Sequence, residues 1–128
     1  MNYLTLEEVY AIHQRMILVG GGRGDIHNFT LLHSAVERPK ATFGGQELYP
    51  SVWLKASALL HSLVKNHPFD DGNKRTAYYS TMRFLYINGY ILNAPKKPVI
   101  SFMVSVDIHN LSLNEISRWL KSHSKKKN

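Results

Sequence analysis

Nine consecutive residues near the middle of the chain carry the side chains that phosphate chemistry requires. An imidazole, His67, is followed within eight positions by two carboxylates, a glycine, an amide and two cations, namely Asp70, Asp71, Gly72, Asn73, Lys74 and Arg75. A helical pattern of apolar residues precedes this stretch, and another follows it. We therefore expect a loop that leads into the N-terminus of a helix beginning near Asn73.

The start of this helix should bind phosphate groups. The first backbone N–H groups of a helix lack intrahelical partners, and the helix dipole adds partial positive charge there. Gly72 allows a ligand to approach the backbone closely. Lys74 adds a point charge, and Arg75 adds a planar group whose donors match phosphate oxygens.

The acidic residues and the histidine extend this prediction from binding to catalysis. Asp71 offers the hard oxygen ligand that magnesium uses beside nucleotide phosphates. An imidazole, with an ordinary pKa of about 6.5, is suited to take a proton from an attacking hydroxyl, and His67 supplies this group. Together these groups favour phosphoryl or nucleotidyl transfer. Asp70 is expected to have a different role, as the N-cap of the following helix.

Composition indicates one globular domain. The chain has 128 residues, 44% of them apolar, and no cysteine. Disulfides are therefore excluded. The chain also has no run of about eighteen apolar residues, the length that a membrane-spanning helix needs. We expect a cytoplasmic protein with a catalytic domain over residues 1–124. Lys125, Lys126 and Lys127 contribute three of the net +7 charges and are expected in a flexible basic tail over residues 125–128.

The hydrophobic pattern predicts an all-α bundle of about six helices without internal repeats. Capping boxes should start the first helix at Thr5 and the last at Ser112. A helix that opens with Pro50 at its first position should end by His67, because the residue before a proline avoids helical geometry. Before it, residues 41–49 read as an extended flap or hairpin with glycines at its tip. The glycine run from Gly20 to Asp25 lacks the ending of a phosphate-binding P-loop and is interpreted as a flexible connector.

The sequence from His67 to Arg75 resembles the signature of the Fic/Doc superfamily, His-Pro-Phe-x-Asp/Glu-Gly-Asn-Gly/Lys-Arg. The resemblance extends to Leu4–Val9 with His13, to Ser34–Pro39, to Phe43–Pro50 and to Phe84–Tyr90. These segments look like those of the small death-on-curing (Doc) toxins of toxin–antitoxin modules.

The resemblance implies an ATP-using enzyme that modifies a hydroxyl on a target protein. His67 would be the base and Asp71 the Mg²⁺ ligand. Asn73, Lys74 and Arg75 would hold phosphates, with Gly72 beside them. In Doc toxins the γ-phosphate goes to a threonine of elongation factor Tu, and a separate antitoxin of the Phd type regulates the toxin. The flap would align the target by strand addition, through Phe43, Gly45, Glu47, Leu48 and Tyr49.

The sequence leaves other functions open. Fic enzymes transfer AMP instead, but Lys74 replaces a glycine of their motif, and Tyr78 occupies the position of their second arginine. A non-enzymatic nucleic-acid-binding module is a further alternative, although no recognition helix with clustered Arg, Asn and Gln is evident, so direct nucleic-acid binding is not expected. No His-Glu-x-x-His motif supports a metal hydrolase. His13, His109 and His123 are interpreted as structural or surface groups.

Overall fold

Six helices account for most of the chain in the computed structural model, which describes residues 1–128. The all-α fold class expected from the sequence is confirmed. The helices are α1 (Leu6–Gly20), α2 (Phe29–Glu37), α3 (Val52–Lys65), α4 (Asn73–Ile87), α5 (Lys96–Ile108) and α6 (Leu113–Ser122). A short 3-10 helix, Arg38–Lys40, follows α2. None of the six helices combines the length and the apolar character that spanning a bilayer requires.

Helix α3 lies at the centre of the bundle and has its most extensive contacts with α4 and α6. Its apolar stripe includes Leu59, Leu60 and Leu63, none of them more than 1% exposed. From α4, Ala77, Phe84 and Leu85 complete the same core. Burial of this wide apolar face, rather than helix propensity, is therefore what fixes α3 and α4 relative to each other.

Hydrogen bonds at the helix starts confirm both predicted capping boxes. The Thr5 hydroxyl accepts from the N–H of Glu8, and the Glu8 carboxylate accepts from the N–H of Thr5. Ser112 and Glu115 repeat this arrangement at α6, where the bond from the Ser112 N–H holds the pKa of Glu115 below its usual value.

The predicted start of α3 is wrong by two residues. Pro50 does not occupy the first helical position, because Ser51 is the N-cap and its hydroxyl accepts from the N–H of Leu54 at 3.1 Å. A hydroxyl satisfies an otherwise unpaired donor of the first turn, which proline cannot do. Pro50 therefore precedes the cap.

The predicted flap is an antiparallel hairpin formed by β1 (Thr42–Phe43) and β2 (Gln46–Glu47). Gly44 and Gly45 form its two-residue turn with φ values of 59° and 79°. Positive φ at both positions is the geometry of the tight hairpin turns that follow the twist of paired strands, and glycine adopts it without strain.

A second small sheet corrects the expectation of a free basic tail. Strands β3 (Tyr90–Leu92) and β4 (Ser124–Lys126) pair antiparallel, with Tyr90 opposite Lys126 and Ile91 opposite Lys125. The Lys127 ammonium lies over the Tyr86 ring, 3.9 Å from its centroid. Because backbone pairing continues to Lys126, the boundary expected after residue 124 falls inside a strand.

Candidate active site

The loop between α3 and α4, His67–Gly72 (the motif loop), begins with a residue in a strained backbone conformation. His67 has φ of 50°, a left-handed conformation that costs a non-glycine residue on the order of 1 kcal/mol. The Pro68 carbonyl accepts hydrogen bonds from the N–H groups of His27 and Asn28, at 2.7 and 3.0 Å. These bonds hold the strained turn from the segment that precedes α2.

Asn73 closes the motif loop from inside. Its side chain is buried, and its Oδ1 accepts from the Phe69 N–H at 3.0 Å. Its Nδ2 donates to the Phe69 carbonyl at 2.9 Å and to Nδ1 of His67 at 3.1 Å. Both the oxygen and the nitrogen of the side-chain amide therefore bond to groups of the loop. The backbone N–H of Asn73 is left to bind a ligand.

His13 of α1 supports the motif loop from below. The buried His13 ring stacks on Phe69, with 3.6 Å between ring centroids and 7° between ring planes. Its Nε2 is 2.8 Å from the Asp71 carbonyl, and Gln14 contacts its Nδ1 at 3.3 Å. Burial lowers the pKa of His13, and the nearby charge of Arg75 adds to this effect. The ring is thus neutral at pH 7 and donates to the Asp71 carbonyl.

The glycine run after α1 contacts the motif loop, which corrects its interpretation as a flexible connector. The Arg23 N–H donates to Oδ2 of Asp71 at 2.8 Å. A Cβ added to Gly22 would lie 2.9 Å from the Asp71 Cβ, closer than side chains tolerate. Glycine is needed here because the backbone approaches the Asp71 side chain directly.

The start of α4 has no side-chain cap. Gly72 is the N-cap residue, with φ of 79°, so the prediction that Asp70 caps the helix is wrong. Asp70 lies two residues too early, and its carboxylate faces His27 at 3.5 Å and Arg23 at 3.9 Å. The first N–H groups of α4 therefore lack the acceptor that a capping side chain would provide.

The two motif cations have different surroundings. Arg75 donates from Nη1 to the Met16 carbonyl at 2.8 Å and from Nη2 to the Gly21 carbonyl at 3.1 Å. It thus satisfies carbonyl groups at the C-terminal end of α1, a favourable place for a cation. Lys74 is half exposed, and its ammonium is 3.4 Å from the Asp107 carboxylate on α5.

A cavity of about 280 Å³ brings most of the predicted site residues together. It is lined by His67, Asp70, Asp71, Gly72, Asn73, Lys74 and Arg75, with Val64 and Asp107 completing the wall. Asp107 was not anticipated from the sequence, because nothing near it in the chain resembles a site. Lys74 and Arg75 also line a larger groove of about 930 Å³, which is mainly apolar and runs between α1, α4 and α5.

The flap residues do not line this cavity. Glu47 pairs with the buried ammonium of Lys55 at 2.9 Å, and Lys55 also approaches the Pro39 carbonyl at 3.4 Å. The Tyr49 hydroxyl accepts from Nε of Arg38 at 2.9 Å. By contrast, Phe43 is 82% exposed at the end of β1. Leu48 is half exposed and Gly45 has open space around its Cα.

A second histidine lies beneath the flap. Nη1 of Arg38 donates to Nδ1 of His61 at 2.9 Å and to the Ser62 hydroxyl at 2.8 Å. Burial lowers the pKa of His61, and the charges of Arg38 and Lys65 lower it further. A neutral His61 is therefore the acceptor that helps to hold Arg38 against Tyr49.

The donor set around Asp71 suits a metal ion only together with a ligand. No group of three or more histidine or acidic side chains converges anywhere in the chain. Oδ1 of Asp71 makes no hydrogen bond within the protein, while Oδ2 accepts from Arg23. Magnesium commonly binds through one or two carboxylates, water and nucleotide phosphates. The residues present fit that mode of binding.

Fold and site together define a class: an all-α enzyme-like domain in which a histidine loop leads into an uncapped, cation-flanked helix. A sequence model of the Fic/DOC family matches residues 3–85. The chain also resembles Toxin Doc of Mycolicibacterium smegmatis (strain ATCC 700084 / mc(2)155), with 50% identity over 93 residues that cover 73% of this chain and 69% of that protein. The protein therefore belongs to the Fic/DOC family, as its motif indicated.

Proposed function

We propose that the protein is a Doc-type toxin that transfers the γ-phosphate of ATP to a Ser or Thr hydroxyl of a target protein. The observation that carries this proposal is the grouping of His67, Asp71 and Lys74 around one polar cavity at the start of α4. A base, a metal ligand and a phosphate-binding cation are the groups that phosphoryl transfer requires.

Phosphate oxygens would be bound by the first turn of α4. The N–H groups of Asn73, Lys74 and Arg75 have no intrahelical acceptor, and no capping side chain competes for them. The ammonium of Lys74 supplies a full charge beside them. The cavity has room for the phosphates, and the adjoining groove has the apolar character that an adenine ring needs.

Asp71 would hold Mg²⁺ through its free oxygen, with the remaining ligands coming from phosphate and water. Bound there, the ion would neutralise charge on the phosphate oxygens. The bonds from Arg23 and His13 fix both the side chain and the carbonyl of Asp71, so the carboxylate has little freedom to turn away.

His67 would accept the proton of the target hydroxyl. The hydroxyl oxygen then bonds to the γ-phosphorus, the bond from that phosphorus to the ADP oxygen breaks, and the proton remains on the imidazole. This transfer needs an imidazole that the target can reach, and His67 is exposed at the mouth of the cavity. Its strained backbone, held by His27 and Asn28, aims the ring.

The target segment would be held by the flap. A short hairpin with unpaired edges can add an extended peptide as a further strand. Phe43 supplies an exposed aromatic ring for such a segment, whereas Glu47 and Tyr49 fix the base of the hairpin to the bundle.

The family resemblance points to elongation factor Tu as the target, in the cytoplasm, and to a Phd-like antitoxin as the regulator. The relative from Mycolicibacterium smegmatis is itself called a toxin. Phosphorylation of elongation factor Tu would arrest translation, and the antitoxin would be needed to prevent this during growth.

Labelled ATP in a host lysate tests the proposal. With ATP labelled at the γ-phosphate, we expect one labelled protein, identified by mass spectrometry. With the label at the α-phosphate we expect none, because position 78 has no second arginine but a tyrosine whose pKa burial raises to about 12. Transfer of the α label alone would overturn the proposal in favour of AMP transfer.

Two histidine variants complete this experiment. His67→Ala should lower the transfer rate by at least about 100-fold, the usual contribution of a general base, without unfolding the protein. His33→Ala is the matched control, since His33 is exposed on α2 and does not line the cavity. Equal activity of the two variants would remove His67 as the base.

A further inference from the structure

We infer that Asn73 is a positioning residue that sets the tautomer of His67, so that the resting ring presents an N–H rather than a lone pair to the cavity. The inference rests on the proposed role of His67 as the base. It assigns to the Asn73 side chain a role other than the phosphate binding that the family motif implies.

The orientation of the Asn73 amide is fixed by two bonds to one residue. Its Oδ1 is 3.0 Å from the Phe69 nitrogen, which can only donate, and its Nδ2 is 2.9 Å from the Phe69 carbonyl oxygen, which can only accept. Rotating the amide by 180° would place donor against donor and acceptor against acceptor. The side chain is 6% exposed, so water cannot replace these bonds. Nδ2 is therefore the atom that faces His67.

The bond to His67 then determines where the imidazole carries its proton. Nδ2 of Asn73 has only hydrogens to offer, and it lies 3.1 Å from Nδ1 of His67. A neutral imidazole has one N–H and one lone pair. Because Nδ1 must supply the lone pair for this bond, the proton is on Nε2. That nitrogen makes no hydrogen bond within the protein and is the one left for the cavity.

A base that acts through Nε2 needs the opposite tautomer. To reach it, Nε2 must lose its proton to water, Nδ1 must gain one from water, and the bond from Asn73 must break. The number of protons on the ring is unchanged. Asn73 therefore restrains His67 in the tautomer that donates, and the base forms only when the two side chains separate.

Nitrogen-15 NMR of the full chain tests this directly. The measurement is made near pH 8.5, well above the ordinary pKa of an imidazole, which is about 6.5. The His67 signals are assigned by their absence in His67→Ala. We expect the wild-type ring to be protonated at Nε2. A wild-type ring protonated mainly at Nδ1 would overturn the inference without need of any variant.

Two substitutions at position 73 test the cause. Asn73→Ala removes the donor and should raise the population of the Nδ1-protonated form several-fold. Asn73→Asp replaces the donor with an acceptor and should make that form predominant. Asn66→Ala is the matched control, because Asn66 adjoins His67 but donates to the Leu31 carbonyl, and its tautomer ratio should equal that of the wild type. A ratio unchanged in both position 73 variants would overturn the inference.

The NMR experiment contains no nucleotide, so it separates this inference from the proposed function. Absence of γ-phosphate transfer would remove the proposed reaction but leave the tautomer result standing. Conversely, an Nδ1-protonated ring in an enzyme that transfers phosphate would remove only the restraint by Asn73.

Discussion

The flap and the motif loop are both short segments between helices, but the protein holds them in opposite ways. The flap, residues 41–49, is fixed only where it joins the bundle, by Glu47 on Lys55 and Tyr49 on Arg38. Its tip makes no close contact. The motif loop is held along its whole length, by Asn73 from inside, by His13 from below and by the N–H of Arg23 from the side.

This difference matches what each segment would do in the proposed reaction. Groups that react must stay within a few tenths of an ångström of their productive positions, and surrounding side chains must hold them there. A surface that receives a target segment benefits from an accessible backbone and an exposed anchor such as Phe43. Substitutions in the two segments test this contrast.

Loss of the flap's attachment should affect stability more than loss of its tip. Glu47→Ala leaves the ammonium of Lys55, 1% exposed, with the Pro39 carbonyl as its only hydrogen-bond partner. Breaking a buried ion pair costs about 3–5 kcal/mol, and because Glu47 is half exposed we expect about 2 kcal/mol of unfolding free energy to be lost. Urea unfolding measures this value.

Lys55→Met is the matched control for that prediction. It removes the buried charge and keeps most of the apolar stem, so its loss should be clearly smaller than that of Glu47→Ala. Equal losses of unfolding free energy in the two variants would mean that the cost comes from losing the ion pair itself. It would then not come from leaving the buried Lys55 charge without its acidic partner.

The tip of the flap should affect target binding alone. Phe43→Ala should raise KM for the target protein about tenfold, the effect of roughly 1.4 kcal/mol of lost apolar contact. Its unfolding free energy should stay within about 0.5 kcal/mol of wild type, because the ring is 82% exposed. Phe29→Ala, at an exposed phenylalanine of α2, should change neither quantity. A tenfold change in KM for that control as well would contradict a specific role for the flap.

Acidification should lower the stability that comes from the histidines beneath both regions, and this effect should be the smallest of those predicted. The pKa values of His13, beneath the motif loop, and His61, beneath the flap, are both lowered by burial. The unfolded chain then binds more protons than the folded protein below the unperturbed histidine pKa of about 6.5. The stability linked to each neutral ring is complete above that pH and is lost as the pH falls through the lowered folded value.

Unfolding free energies measured between about pH 7.5 and pH 5 check this sign, since that interval brackets the unperturbed histidine pKa. The decrease on acidification should be smaller in His13→Gln and in His61→Gln than in the wild type. A steeper decrease in either variant would show that the ring is charged in the folded protein.

Local patterns in the sequence predicted the helices and their boundaries where a cap is built from neighbouring residues. The boxes at Thr5 and Ser112 are examples, because the interacting groups are three positions apart. The glycines at the flap's tip were equally readable, since two adjacent residues with positive φ specify the turn. Asp70 was misassigned because a carboxylate at a helix start satisfies the pattern, while the competing partners His27 and Arg23 are distant in sequence.

The supports of the motif loop could not be derived from local patterns for the same reason. His13 contacts a carbonyl 58 positions away, Arg23 a carboxylate 48 positions away, and Lys74 an acid 33 positions away. Packing of α1 against α4 and of α5 against α3 creates these contacts. The glycine run did carry one signal that could have predicted its contact with the motif loop. Glycine marks flexible connectors, but it also marks places where another part of the protein approaches the backbone closely.

A titration of the protein with Mg–ATP, followed through backbone amide chemical shifts, tests the central claim most directly. The account predicts saturable shifts at the N–H groups of Asn73, Lys74 and Arg75, and much weaker magnesium-dependent binding in Asp71→Ala. Saturation with shifts confined to other helices, or the same affinity in Asp71→Ala, would contradict it.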